Sequence, residues 1–184
     1  MGKYRLILGS NIEYMKTNKT YPKSFSHIGI TVPNIKEAAK FYSEVMGWYI
    51  IMEPSTVKKE RETAIGQMCI DVFGEDWQEF EIAHLATSDG IEIELFSFPH
   101  GIKEAPEFSP FNTGLFHFCI QDPNIEELVA KIVAHGGKQR MPIREYYPND
   151  KPYKMCYVQD PFGIVFEVYT HSYELTYSSG AYAK

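Results

Sequence analysis

The 184-residue chain carries 18 Lys and Arg against 24 Asp and Glu, a net charge of −6, with 44% hydrophobic and 23% charged residues. That balance argues against a disordered chain and against nonspecific nucleic-acid binding, and the length allows one domain or two small ones around a sizeable core. No apolar run approaches the roughly 18 residues of a membrane span, and Leu6-Ile7-Leu8 is too short for a signal-peptide core. Cys69, Cys119 and Cys156 are widely spaced with no CxxC, which predicts reduced thiols in a cytoplasmic protein.

In chain order, residues 1–24 read as an N-terminal extension. A strand follows, in which Ile28, Ile30 and Val32 alternate with His27, Gly29 and Thr31. Ile35, Ala38, Ala39, Tyr42, Val45 and Met46 then form the apolar stripe of a helix, with Asn34 and Glu37 at capping spacing and Gly47 as its stop. Strands are expected near 48–57, 79–87 and 91–98, with an insertion over Lys58–Trp77. After residue 100 the pattern starts again. Phe116, Phe118 and Ile120 alternate with His117, Cys119 and Gln121, and a helix over Ile125, Leu128, Val129 and Ile132 follows, with Asn124 and Glu127 as its capping pair and Gly136-Gly137 as its stop. Three more strands are expected near 138–146, 153–159 and 164–170, the last two joined by a turn at Asp160-Pro161-Phe162-Gly163. Residues 172–184 remain as a tail.

This is a degenerate duplication. HIGITVPNIKE at 27–37 matches HFCIQDPNIEE at 117–127, an offset of 90, and GIEIELF at 90–96 matches GIVFEVY at 163–169, an offset of 73. The difference puts 17 extra residues in the first half, where the insertion lies. The expected fold is therefore α+β. Two tandem βαβββ modules, over 25–100 and 113–171, pair curved sheets around a metal-binding cleft within one domain.

The repeat singles out His27, Glu94, His117 and Glu167. Period two sends all four from the sheet face opposite the helix. One strand histidine or glutamate is ordinarily a surface group, but the same pair at equivalent points of both halves is not a chance pattern. If the halves pair about a pseudo-twofold axis, two imidazoles and two carboxylates converge as a nitrogen–oxygen shell for one divalent ion. Without thiolate, that shell suits Ni, Co, Mn, Fe(II) or Zn. Arg140 and Arg144 are candidates for binding a substrate carboxylate, His84 for lining the cavity, and Cys119 for a wall position beside the ion; surface or structural roles are the simpler alternative for each. His171–Tyr177 reads as a lid, a dimer contact or an ordered tail. There is no GxGxxG after a strand, no Walker motif, no GxSxG and no HExxH.

His27 in SHIGITVPNIKEAAKFY, Glu94 in GIEIELFSF, His117 in FHFCIQDPNIEEL and Glu167 in DPFGIVFEVY resemble the vicinal oxygen chelate superfamily over about residues 25–171. Glyoxalase I, methylmalonyl-CoA epimerase, extradiol dioxygenases and fosfomycin- or bleomycin-resistance proteins belong to that superfamily. The His/Glu/His/Glu set is similar to glyoxalase I (lactoylglutathione lyase), in which the metal binds an enediolate and a ligand glutamate moves the proton. The resemblance implies a divalent-metal-dependent lyase or isomerase acting on a small molecule with vicinal oxygens. Glu94 and Glu167 would each be ligand and candidate base. It implies a homodimer with no nucleic-acid or membrane partner, and a site within one chain or between two. An Fe(II) dioxygenase and a non-catalytic small-molecule-binding or resistance protein are the alternatives. No arginine matches the family's glutathione contacts.

Overall fold

The structure, a computed structural model, describes residues 22–101 and 108–178. Most of the expected N-terminal extension and the end of the tail lie outside them. Strand β1 (His27–Thr31) leads into helix α1 (Ile35–Met46), and β2 (Tyr49–Lys58), helix α2 (Ala64–Phe73), β3 (Glu79–Ala86) and β4 (Glu92–Ser97) follow. The second half runs β5 (Phe118–Gln121), α3 (Ile125–Ala134), β6 (Lys138–Gln139), β7 (Arg144–Tyr147), β8 (Lys151–Gln159), β9 (Val165–Tyr169) and α4 (Tyr173–Ser178). One sheet has the order β1-β4-β3-β2 and the other β5-β9-β8-β6, with β7 also on β8. In each, the opening strand pairs in parallel with the last strand. A helix must therefore cross between them, as the repeat requires.

Local chemistry explains most of the boundaries. The Asn34 side chain accepts from the backbone of Lys36 and Glu37 at the start of α1, and Gly47 ends the helix in the left-handed region at φ 70°. Asn124 does not cap α3 in the expected way: its side chain makes no capping bond, and Asp122 Oδ1 instead accepts from the Asn124 N–H at 2.7 Å. The strand expected over 138–146 is two pieces, because Pro142 has no N–H to give the ladder. Phe116 is also not a core residue. It precedes β5 and stacks on Tyr157, 5.9 Å between ring centres. The insertion holds α2, whose end packs Phe73 against Trp77, Phe80, Phe96 and Phe98 on the sheet face away from α1.

A single core spans both halves. Ile30, Tyr42, Leu85 and Leu95 from the first share it with Ile125, Ile132, Val158 and Phe166 from the second. Tyr42, fully buried on α1, donates to the Asp160 carboxylate in the β8–β9 turn, whose Oδ1 also accepts from the Phe162 and Ile164 N–H groups. Lys131 on α3 donates to the Glu44 carbonyl at 2.6 Å. These contacts lie on the helix side of both sheets; on the opposite face of the first sheet the α2 cluster covers one end.

Candidate metal centre

Each sheet presents one imidazole–carboxylate pair on its far face. In the parallel β1–β4 ladder Gly29 is opposite Glu94, with His27 two residues back on the same face; Nε2 of His27 stands 3.7 Å from Oε2 of Glu94. In the β5–β9 ladder Cys119 is opposite Glu167, with His117 two residues back; Nε2 of His117 stands 3.2 Å from Oε2 of Glu167. The alternation that put Ile28, Ile30, Phe118 and Ile120 against the core thus sent the four polar residues the other way.

The donor set fits a divalent cation. Two ligands about 2.1 Å from a shared ion stand roughly 3.0 Å apart at a right angle and about 3.4 Å apart at the tetrahedral angle. The second pair falls between these values and the first is slightly wider. Nδ1 of His117 is buried with no hydrogen-bond partner among the described residues, a polar atom whose partner would come from outside them. No group of three or more His, Cys, Asp or Glu residues able to hold an ion forms among the described residues. One chain therefore brings its candidate ligands together as two pairs.

The pairs differ in surroundings. Side-chain exposure is 48% for His27 and 25% for Glu94, against 25% for His117 and 9% for Glu167. His117 lies edge-on to Phe116 at 4.5 Å and to Tyr157 at 5.2 Å, and Tyr157 is directly opposite Glu167 across the β8–β9 ladder. Burial first, then Glu167, pushes the Tyr157 phenol up. Tyr157 was not anticipated; the signal was available, since the offset of 73 relates it to His84 as it relates Glu167 to Glu94.

The other candidates are placed as follows. His84 is directly opposite Glu94 across the β3–β4 ladder. Cys119 is opposite Glu167 and is exposed, and the desolvation of its thiol together with that carboxylate pushes the thiol up. Arg140 donates to Gln159 Oε1 at 3.0 Å and covers the Phe108 ring at 4.3 Å, so its guanidinium is already engaged. Arg144 is exposed on β7. The hydroxyls of Tyr146, Tyr169 and Tyr177 form a ring with edges of 3.0, 3.1 and 3.1 Å that ties α4 to the second sheet. His171–Tyr177 is thereby an anchored segment ending in a helix.

Two cavities mark the gap between β1 and β5. One of about 340 Å³ has Gly29, Thr31, Phe108, Asn112, His117 and Val165 in its wall. The other, about 590 Å³, lies between Phe25, Trp48, Asp89, Phe118, Cys119 and Tyr169. All three cysteines are free, and no helix among the described residues is long and apolar enough to cross a membrane.

No curated protein matches the sequence. Among solved structures, a glyoxalase family protein from Bacillus cereus is 23% identical, with a TM-score of 0.66 over 84% of this chain and 97% of that one. A glyoxalase family protein from Enterococcus faecalis is 20% identical, with a TM-score of 0.53 over 80% and 97%. A mutant of the fosfomycin resistance protein FosX from Listeria monocytogenes, complexed with Mn(II) and 1S,2S-dihydroxypropylphosphonic acid, is 15% identical, with a TM-score of 0.54 over 84% and 98%. At these identities the structures speak for the fold, two like sheets each crossed by a helix. The family model reaches further, matching residues 24–168, and it is on this match that the chain belongs to the glyoxalase/bleomycin resistance protein/dioxygenase superfamily.

Proposed function

We propose that the protein is a divalent-metal-dependent lyase or isomerase of the glyoxalase I kind, acting in the cytoplasm as a homodimer on a small molecule with two adjacent oxygens. The observation that carries the reading is the imidazole–carboxylate pair repeated at equivalent positions of both sheets, at 3.7 and 3.2 Å. His27, Glu94, His117 and Glu167 would hold the ion. When bound, the ion supplies positive charge that acidifies the C–H bond beside the chelating oxygens. A ligand glutamate takes that proton and returns it to the neighbouring carbon. The cavity beside His117 gives the substrate an aromatic wall of Phe108 and Phe116. FosX offers a precedent on this fold for Mn(II) beside a 1,2-dihydroxy compound.

Because one chain holds its ligands as two separate pairs, the four-ligand shell is completed between copies, the first sheet of one facing the second sheet of the other. Ile65, Met68 and Val72 on α2, and Phe111 and Leu115 ahead of β5, are exposed apolar side chains that a second copy could cover.

Elemental analysis after loading with Ni, Zn, Co, Mn or Fe(II) tests the centre, followed by turnover of the methylglyoxal–glutathione adduct. One ion per chain is expected in the wild type, and His117→Ala should abolish it; unchanged stoichiometry in that variant removes the assignment. Lost metal in His117→Ala with no turnover of the adduct by the loaded wild type would reject the glutathione substrate alone.

A further inference from the structure

Strands β1 and β5 are the open edges of their sheets, and the seam between them holds both cavities. Ile28 and Phe118 line both, so the smaller chamber, beside His117, adjoins the larger one of about 590 Å³. A chamber of that size suits an organic molecule. None of His27, Glu94, His117 and Glu167 stands in its wall.

The wall of the larger chamber has a definite chemistry. Aromatic rings come from three parts of the chain: Phe25 and Trp48 from the first module, Phe118 and Tyr169 from the second, and Tyr173 from α4. Phe25 and Tyr173 are 64% and 66% exposed, so ring faces are open to an incoming molecule. The fixed charges are of one sign. Asp89 and Asp122 stand in the wall, and neither chamber is lined by a Lys or Arg among the described residues. Each carboxylate is steadied by a neutral donor, Asp89 by the Thr87 hydroxyl at 2.5 Å and Asp122 by the Asn124 N–H at 2.7 Å. Neither has an ion-pair partner among the described residues. His171, with Nδ1 2.8 Å from Thr170 Oγ1, is the one residue of this wall able to take on positive charge. Aromatic faces and carboxylates without a counter-ion both attract cations.

We infer that the larger chamber is a subsite for a small organic cation with a flat apolar body, the tail of a substrate whose reacting oxygens lie in the smaller chamber. The link to a substrate rests on the metal reading above; the cation site does not. These walls select an aromatic or alkylated amine over an anion of the same size. A glutathione conjugate, with two carboxylates to one ammonium, matches them poorly.

The experiment titrates the metal-free full chain with benzyltrimethylammonium, neutral N,N-dimethylbenzamide and anionic phenylmethanesulfonate. The indole N–H signals of Trp48 and Trp77 are followed by NMR. The cation should bind about 10-fold tighter than the amide, and the sulfonate weakest of the three. The Trp48 signal should move and that of Trp77, which packs on Phe73 at the end of α2, should not. Asp89→Asn with Asp122→Asn in one chain keeps an oxygen for each donor and should cost about 10-fold in affinity for the cation. Phe25→Ala should weaken it as well, and neither variant should change the melting point. A sulfonate that binds as tightly as the cation, a cation that leaves Trp48 unmoved or binds the Asn variant equally well, or no binding of any probe overturns the subsite. His117→Ala should bind the cation as wild type does. Cation binding by a wild type that takes up no metal removes the metal reading and leaves the subsite standing.

Discussion

Replacing Tyr42 with Phe removes one oxygen from the middle of the molecule and tests how the two halves are joined. The Tyr42 ring, stacked on Trp48 at 5.0 Å, is kept, so the change isolates the hydrogen bond to Asp160. Hydrogen bonds to a charged partner contribute about 1.5–3 kcal/mol. Asp160 keeps its bonds from the Phe162 and Ile164 N–H groups, which argues for the middle of that range, about 2 kcal/mol. For a chain of this size that corresponds to a fall of about 4–8 °C in melting temperature. The pH dependence is a sharper check. Burial pushes the Asp160 carboxyl up, against the downward pull of Tyr42 and the backbone N–H groups. Without the hydroxyl it rises further. A carboxyl raised on folding costs stability as pH climbs from its unfolded value through its folded one. The deficit of Tyr42→Phe should therefore be small in acid and widen as pH rises through that window. Scanning calorimetry from pH 3 to 8, paired with Asp160→Asn and the double variant, reads both effects. A melting point within about 1 °C of wild type at neutral pH would refute the assignment, given the 2–4 °C expected per kcal/mol.

Mixing chains tests the proposed sharing of the metal centre: His27→Ala and His117→Ala chains, each unable to bind metal, should regain about a quarter of the sites when unfolded and refolded together in equal amounts, one intact site in each mixed dimer. No recovery, with mixed dimers shown by mass spectrometry, would place the whole centre within one chain. Gly137→Ala should melt several degrees lower, because an added Cβ would lie 2.5 Å from Ile132 Cγ2 and 2.6 Å from the Gln159 carbonyl oxygen; an unchanged melting curve counts against that packing. Arg61 and Lys59 hold the Glu75 carboxyl down at about 2 from its ordinary 4.5. Its contribution is present above the higher value and lost as pH falls through the lower one. Wild type should thus exceed Glu75→Gln in stability at pH 6, narrowly because the bridge is exposed, and the gap should close toward pH 2 and in high salt. A gap that persists at pH 2 would rule out the ion pairs as its source.

The modules were legible because both signals that define them are local. Period-two alternation placed His27, Glu94, His117 and Glu167 on the far faces, and the offset of 90 set the second opening strand and helix against the first. What failed was also local in origin: Asp122 acts at the start of α3 where Asn124 was expected to cap, and Pro142 interrupts a strand that composition alone would run through. The separation of the two histidine–glutamate pairs was not legible. Alternation fixes which face a side chain leaves, but the distance between faces of different sheets depends on how Tyr42, Phe41 and Trp48 seat against Asp160, Phe162 and Phe118. Tyr157 escaped notice for a different reason. The offset of 73 leads to it from His84, but the two positions carry different residue types, which hid the correspondence.

The bond between Tyr42 and Asp160 has a consequence for synthesis on the ribosome. The phenol emerges 118 residues before the carboxylate that satisfies it. Through most of translation the first half carries that hydroxyl without its Asp160 acceptor, and a helix flank awaiting α3. Loop closure over such a span delays these contacts, and the nascent first half exposes sticky surface meanwhile. The final closure of the native state should then wait until the β8–β9 turn clears the exit tunnel, which makes the early half a natural client for chaperones that shield growing chains.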